Sequence, residues 1–231
     1  MTAAEIPLFG GTANRGQVYR VGETVRRPLR PSAPGVHALL RHLEDVGFDG
    51  APRVLGVDAE GREVLTYVRG DAVIAPAPAW GLTDEALRSV GELLRRFHDA
   101  AAGFDPSPYA WPHRPPSPHD TGGMLHNDPN LDNFVFRDGR AVALIDFDLA
   151  APGAPLWDVA ATARLWAPLR SPADVADGRR DRALHRARIL VDAYGLAKAR
   201  AVSAAVRGGY VDSLVTHSTL ATALIDAAVA G

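Results

Sequence analysis

The 231-residue chain contains no cysteine. This absence excludes a disulfide framework, thiolate metal ligands and a cysteine nucleophile. The sequence also has no apolar run of the roughly 18 residues that a membrane span needs. Its first residues lack the basic and then apolar layout of a signal peptide. We therefore expect a cytoplasmic protein with no membrane partner.

Charge of one sign is also lacking, since the formal net charge is -2 at pH 7. Proteins that bind nucleic acid usually carry a pronounced positive surface, so no nucleic-acid partner is expected. Hydrophobic residues make up 47% of the chain and charged residues 23%, which is ordinary for a globular protein. A chain of this length can form one large domain or two small lobes with a substantial core.

The most informative segment spans residues 125–134 and reads LHNDPNLDNF. It places His126, Asp128 and Asn133 in an H-x-D-x-x-x-x-N pattern. A short apolar stretch then ends at Asp146, and Asp148 follows. Phosphoryl transfer requires such groups: one carboxylate orients the acceptor hydroxyl, while an amide oxygen and a second carboxylate hold magnesium on the phosphates.

A polar loop before a hairpin, with Asp and Asn as turn formers, would explain either segment alone. It does not explain why an apolar strand delivers an acid directly beside such a loop. Phosphoryl transfer is therefore the favoured interpretation of the two segments together.

Both segments resemble the catalytic and metal-binding loops of the aminoglycoside phosphotransferase-like small-molecule kinases, which are relatives of the protein kinases. The match is closer to this branch because no Arg lies between His126 and Asp128, and the second motif reads IDFD. A third family element, PLWDVA at 155–160, contains Asp158, which in the family supports the catalytic loop. The segments GG, VRRP and VHALL near the start are similar to those of proteins labelled trifolitoxin immunity.

The resemblance implies an α+β, two-lobed protein-kinase-like fold. Residues 1–69 would form the N-terminal nucleotide-binding lobe with a small antiparallel sheet, and residues 70–231 a mainly helical catalytic and substrate lobe. Local patterns agree with this order, because a helical stretch is flanked by two pairs of β-like segments. The helical stretch is 36–43, and the β-like segments are 17–21, 24–27, 53–57 and 63–68.

A second helix is predicted directly after Thr83. Thr83 is a good N-cap, and Asp84 and Glu85 in the first turn complement the helix dipole. The apolar residues of this segment repeat at helical spacing and predict its buried face: Leu87, Val90, Leu94 and Phe97.

The resemblance also assigns roles to the residues of the two motifs. Asp128 would orient the acceptor hydroxyl and accept its proton, and His126 would brace the second motif through a hydrogen bond. Asn133 and Asp146 would be Mg²⁺ ligands, with Asp148 as a further contact to the metal or its waters.

Two segments are assigned to the nucleotide, which is ATP or GTP. The loop 9–16 is rich in small residues, whose backbone amides can approach phosphates closely; that it is simply a turn stays an open alternative. The hinge is expected to bond an adenine edge through its backbone. The residues predicted to bind the nucleotide are Gly10, Gly11 and Asn14 in the loop, and Thr66, Tyr67 and Val68 in the hinge.

The sequence departs from the family at the phosphate anchor. The family places a Lys on the third strand, paired with a Glu of the next helix, whereas this strand reads VRRP and the helix offers Val36 or His37. Arg27 is the predicted substitute, because a guanidinium can bond phosphate bidentately. With no helix Glu to hold it, Arg27 is expected to swing freely without nucleotide. The alternative that Arg26 and Arg27 are merely solvated stays open.

The predicted acceptor is a small hydroxylated molecule, antibiotic-like or a metabolite, in a resistance or immunity role. Polycationic aminoglycosides call for clustered acids, whereas the stretch 170–207 is rich in Arg. This leaves a neutral or anionic hydroxyl compound, a macrolide or an antibiotic-like peptide equally open. Because the Lys and Glu are missing, the alternative is a pseudokinase-like protein that only binds a small molecule or toxin.

Overall fold

The computed structural model of the chain describes residues 4–8, 17–115, 119–168 and 179–196. The predicted phosphate loop, with Gly10, Gly11 and Asn14, lies outside these residues, as does the chain after residue 196. Within the described residues, no helix is both long and apolar enough to cross a bilayer.

In residues 4–8 and 17–69, the first part of the chain forms a five-stranded antiparallel sheet and one α-helix. The strands are β1 (Glu5–Pro7), β2 (Tyr19–Val21), β3 (Thr24–Pro28), β4 (Val54–Val57) and β5 (Arg62–Thr66), in the order β1-β2-β3-β5-β4. Helix α1 (Ala33–Asp45) connects β3 to β4. The predicted order of two strands, a helix and two strands is therefore present, with β1 as an additional edge strand.

Where the structure describes it, the second part of the chain combines three α-helices with two small antiparallel sheets. Its elements are β6 (Asp71–Ala72), α2 (Asp84–Ala101), β7 (Met124–Leu125), β8 (Phe134–Arg137), β9 (Arg140–Leu144), β10 (Ala151–Pro152), α3 (Pro155–Trp166) and α4 (Ala183–Tyr194). Strands β6, β8 and β9 form one sheet, and β7 pairs with β10.

Helix α2 is the central element of the core. Thr83 caps it as predicted, since its Oγ1 accepts a hydrogen bond from Ala86 N at 3.1 Å. Burial of a Leu, Val or Phe side chain contributes about 1.5–3 kcal/mol. This contribution outweighs the modest intrinsic preference of any single residue for the helix. The whole predicted face is 0% exposed: Leu87, Val90, Leu94 and Phe97.

The hairpin of β8 and β9 brings the two sequence motifs together. Phe134 pairs with Leu144 in the antiparallel register, and Ile145 N donates to Asn133 O at 2.9 Å. In an antiparallel hairpin the residue before the first strand lies beside the residue after the second. Asn133 and Asp146 therefore meet at one end of this hairpin.

Gly70 lies where the chain passes from the first part to the second. Its φ of 144° belongs to a region that is essentially restricted to glycine. A Cβ at this position would lie against the Phe136 carbonyl oxygen and 2.6 Å from Val135 Cγ1. The backbone thus packs directly on β8 here. A boundary between two domains at this residue stays a prediction.

We predict that Gly70→Ala lowers the free energy of unfolding by about 3 kcal/mol, because backbone strain of about 1–2 kcal/mol adds to a steric overlap of similar cost. The matched control is Gly139→Ala, where φ is 76° and no atom beyond the neighbouring residues of the chain lies within 4 Å of the added Cβ. It should lose only about 1 kcal/mol. Urea unfolding followed by tryptophan fluorescence measures both, and equal losses would contradict the packing argument.

Candidate active site

A cavity of about 430 Å³ lies between the five-stranded sheet and the β8–β9 hairpin. Its volume is within the usual range for a small-molecule site. Predicted site residues from three separate segments of the chain line this cavity. They are Arg27, residues 66–68, and Asn133 with Asp146. Most of the predicted site residues that the structure describes therefore lie around this cavity.

Two of the three backbone N–H groups of residues 66–68 donate hydrogen bonds within the protein. Thr66 N donates to Arg53 O at 2.9 Å, and Tyr67 N donates to Glu23 O at 2.8 Å. Among the described residues, no such backbone bond involves the N–H of Val68. Of the three residues predicted at the hinge, Val68 is therefore the one whose N–H is available to a base edge.

Asp128 does not line the cavity itself, but it is hydrogen-bonded to Asn133, which does. Its Oδ1 accepts from Asn130 Nδ2 at 2.6 Å, and its Oδ2 accepts from Asn133 Nδ2 at 2.9 Å. Burial raises the pKa of the Asp128 carboxyl above its ordinary value, and the negative charge of Asp146 adds to the rise against the opposing effect of His126. A raised pKa makes this carboxylate a stronger proton acceptor than an ordinary Asp.

The residues predicted to hold Mg²⁺ have the right donor atoms. Asn133 Nδ2 donates to both the backbone and the side chain of Asp128, which leaves its amide oxygen as a ligand atom. Asp146, at φ 63°, presents a carboxylate to the same cavity. Among the described residues, no group of three or more His, Cys, Asp or Glu is arranged to hold a metal. Two protein oxygens suit Mg²⁺ when phosphate oxygens and waters complete its shell.

Asp148 is placed differently from Asn133 and Asp146. It does not line the cavity; its Oδ1 lies 2.6 Å from Arg27 Nη2, and its Oδ2 lies 3.6 Å from Arg30 Nε. Burial raises the pKa of the Asp148 carboxyl, although the charge of Arg27 opposes the rise. In this structure Asp148 is a partner of Arg27, and its contact with a metal stays a prediction.

Arg27 is held by carboxylates, so the expectation that it swings freely is wrong. Only 6% of the residue is exposed. Its Nε lies 2.6 Å from Glu63 Oε1, its Nη1 lies 2.6 Å from Asp146 Oδ1, and Nη2 binds Asp148. Burial by itself lowers the pKa of this guanidinium, but the carboxylate charges outweigh burial and the pKa is raised. The alternative of a solvated Arg27 is excluded.

Arg26 points to the other face of the strand, as alternation along β3 requires. Its Nη1 donates to Asp58 Oδ2 at 3.3 Å, and its side chain is 29% exposed. Arg26 does not line the cavity, whereas Arg27 does.

Glu63 is the residue that the sequence interpretation missed. It is directly opposite Arg27 in the β3–β5 register, is 1% exposed, and accepts from His37 Nε2 at 2.8 Å on its second oxygen. An acid was visible in the predicted strand 63–68, but only the strand register shows that it faces Arg27. The carboxylate comes from β5, while α1 contributes His37.

Asp158 supports the loop that carries His126 and Asp128, which is the predicted catalytic loop. It is fully buried, and its two oxygens accept from His126 N at 2.7 Å and Asn127 N at 2.8 Å. His98 Nε2 lies 3.1 Å from the same carboxylate, and His98 Nδ1 lies 2.7 Å from Tyr194 Oη. Burial raises the pKa of Tyr194 to about 12, which keeps it a hydrogen-bond donor.

The bracing contact expected of His126 is also present. Its Nε2 is 2.9 Å from Ile145 O, directly before Asp146, and its ring packs on Phe147 at 4.6 Å between centroids. The His126 side chain therefore connects the catalytic loop to the segment that carries the second motif.

Two arginines of the arginine-rich stretch are bound to other parts of the protein. Arg186 is 1% exposed and donates to Trp166 O at 3.0 Å and Leu82 O at 2.7 Å. Arg182 forms an ion pair with Asp84 at 2.6 Å. These side chains hold α4 in place, so their charge carries no information about the acceptor.

Residues 108–190 match the model of the phosphotransferase enzyme family. Over 226 residues the chain is 38% identical to the trifolitoxin immunity protein of Rhizobium leguminosarum bv. trifolii, covering 93% of this chain and 80% of that protein. The gentamicin complex of APH(2'')-IIa has a TM-score of 0.59 at 14% identity, covering 99% of this chain and 90% of that one. A choline/ethanolamine kinase family protein from Mesorhizobium loti has a TM-score of 0.54 at 16% identity, covering 96% and 87%. Such structural likeness confirms the predicted α+β, protein-kinase-like fold.

We predict that Asp158→Ala lowers the free energy of unfolding by about 3 kcal/mol or more, because it leaves two buried backbone N–H groups and the His98 side chain without an acceptor. The matched control is Asp99→Ala, which removes an exposed i,i+4 partner of Arg95 and should cost about 0.5 kcal/mol or less. Guanidinium unfolding measures the difference. Similar losses would show that the buried carboxylate is not a special support.

Proposed function

The chain belongs to the aminoglycoside phosphotransferase-like kinases, and the trifolitoxin immunity protein is a relative. On this premise, we propose that the protein transfers the γ-phosphate of ATP or GTP to a hydroxyl of a small molecule. The observation that carries the proposal is the assembly of Arg27, Asn133 and Asp146 in one cavity, with Asp128 directly behind Asn133. An acid beside paired metal-ligand oxygens and a cation is the arrangement that phosphoryl transfer uses.

In this mechanism the N–H of Val68 bonds the base edge, and Arg27 contacts phosphate oxygens. Asn133 and Asp146 would hold Mg²⁺, which would neutralise charge on the phosphates. Asp128 orients the acceptor hydroxyl and takes its proton on a carboxylate oxygen. A bond forms between the acceptor oxygen and the γ-phosphorus as the bond from that phosphorus to the β-phosphate oxygen breaks.

The acceptor is a small hydroxylated molecule, antibiotic-like or a metabolite. The relative's name favours a role in immunity to a toxic compound. The acceptor classes to compare are an aminoglycoside, a neutral or anionic hydroxyl compound, a macrolide and an antibiotic-like peptide. A panel that contains all these classes is therefore the right assay.

A binding-only protein is the second candidate, and one contact favours it. Arg27 Nη1 lies 2.6 Å from Asp146 Oδ1, so the guanidinium occupies one oxygen of a predicted metal ligand. In a protein that keeps this ion pair permanently, Arg27 would compete with Mg²⁺ for Asp146, and the chain would sequester a small molecule or toxin without turnover. Measurement of turnover separates the two candidates.

We predict that Asp128→Ala and Asp146→Ala each reduce phosphate transfer by about a thousandfold or more, because positioning and charge neutralisation supply most of the rate in this chemistry. The assay is transfer from γ-labelled ATP or GTP, with magnesium, to a panel of hydroxylated antibiotics and metabolites. The exposed Asp45→Ala on α1 is the control and should retain full transfer. Undiminished transfer by either site variant would refute its assigned role.

We further predict that Arg27→Ala raises the Kd for nucleotide about tenfold or more, since charge-assisted bonds to phosphate are worth about 1.5–3 kcal/mol. Arg26→Ala, on the opposite face of the same strand, should change it by less than about twofold. Titration calorimetry gives the Kd, and thermal melting with nucleotide gives an independent check through ligand linkage. If both variants behave alike, Arg27 is not the phosphate anchor.

A further inference from the structure

Arg27 uses three different nitrogen atoms on three different carboxylates. Nε binds Glu63 of β5, whereas Nη1 and Nη2 bind Asp146 and Asp148 beyond the end of β9. The guanidinium therefore joins the sheet of the first part of the chain to the metal-binding motif of the second.

The three contacts differ in their access to the cavity. Asp146 lines it, and its side chain is 32% exposed. Glu63 does not line it, and its side chain is 2% exposed. Asp148 does not line the cavity either, but its side chain is 18% exposed. A ligand that enters the cavity therefore meets the contact of Nη1 with Asp146 first, and the contact of Nε with Glu63 is the least accessible of the three.

The Glu63 carboxylate is itself fixed in orientation. Oε1 accepts from Arg27 Nε at 2.6 Å, and Oε2 accepts from His37 Nε2 at 2.8 Å. The β3–β5 register places Glu63 directly opposite Arg27, so little side-chain freedom remains. A buried carboxylate is tolerated when both oxygens are paired in this way.

We propose that Glu63, braced by His37, is the positioning residue for Arg27 in nucleotide binding. It keeps hold of Nε, while Nη1 and Nη2 exchange Asp146 and Asp148 for phosphate oxygens of the nucleotide. This inference rests on the proposed function, since it takes the ligand to be a nucleotide. Its chemical reason is that a guanidinium held at Nε presents a planar pair of donors, the geometry that suits phosphate.

A double-mutant cycle tests whether Glu63 acts through Arg27. Glu63→Gln should raise the Kd for ATP about tenfold in the unmodified chain and less than about twofold in the Arg27→Ala background. Titration calorimetry is run with and without magnesium, so that one reading does not depend on metal. The matched control is Glu60→Gln, whose side chain is 64% exposed and which should leave the Kd unchanged.

A second pair of variants guards against a failure of Glu63→Gln to fold. His37→Leu removes the donor to Glu63 Oε2 and should raise the Kd for ATP severalfold. His37→Gln can still donate from its amide, and it should bind ATP almost as the unmodified chain does. Thermal melting without nucleotide reports the stability of each variant separately.

The outcomes are distinguishable. No nucleotide binding by the unmodified chain would overturn the proposed function, and this inference with it. Binding by the unmodified chain with an unchanged Kd in Glu63→Gln would overturn the inference alone. The same holds if Glu63→Gln weakens binding equally in both backgrounds, or if the His37 variants lose stability without any change in Kd. The expected cycle, with rescue by His37→Gln, would support it.

Discussion

The buried carboxylate of Asp158 is the contact on which the architecture of the site depends. Removed from water, it must find a donor for each oxygen, and it finds them in the backbone of the catalytic loop and in His98 of α2. His98 is in turn bonded to Tyr194 of α4. One charge thereby fixes the relative positions of three helices and the loop that carries Asp128.

The ion cluster around Arg27 supplies a second constraint, which acts across the chain. Glu63, Asp146 and Asp148 all bind this cation, so the five-stranded sheet and the segment 146–148 are held together by charge. Of these three carboxylates, Asp146 is the one that lines the cavity. Asp146 is both a partner of Arg27 and a predicted metal ligand, so a metal at this position would share the carboxylate with Arg27.

Local elements were accessible to prediction because their causes are local. The cap at Thr83 and the apolar face of α2 follow from helical spacing, and both are present. The meeting of Asn133 and Asp146 follows from a single hairpin. The role of Arg27 was different, because its partners lie 36 and more positions away along the chain. No spacing rule connects residues at that separation.

The sequence alone therefore determined the family, the fold class and the two motifs, since these reside in short patterns of spacing and residue type. Tertiary structure decided which carboxylate holds Arg27, and it placed that carboxylate on β5 instead of α1. It also placed Arg186, which belongs to the arginine-rich stretch 170–207, in a buried position where it holds α4. The physical reason is the same in both cases: a charged side chain takes its role from the partners that packing and strand register place around it, and those partners are remote in sequence.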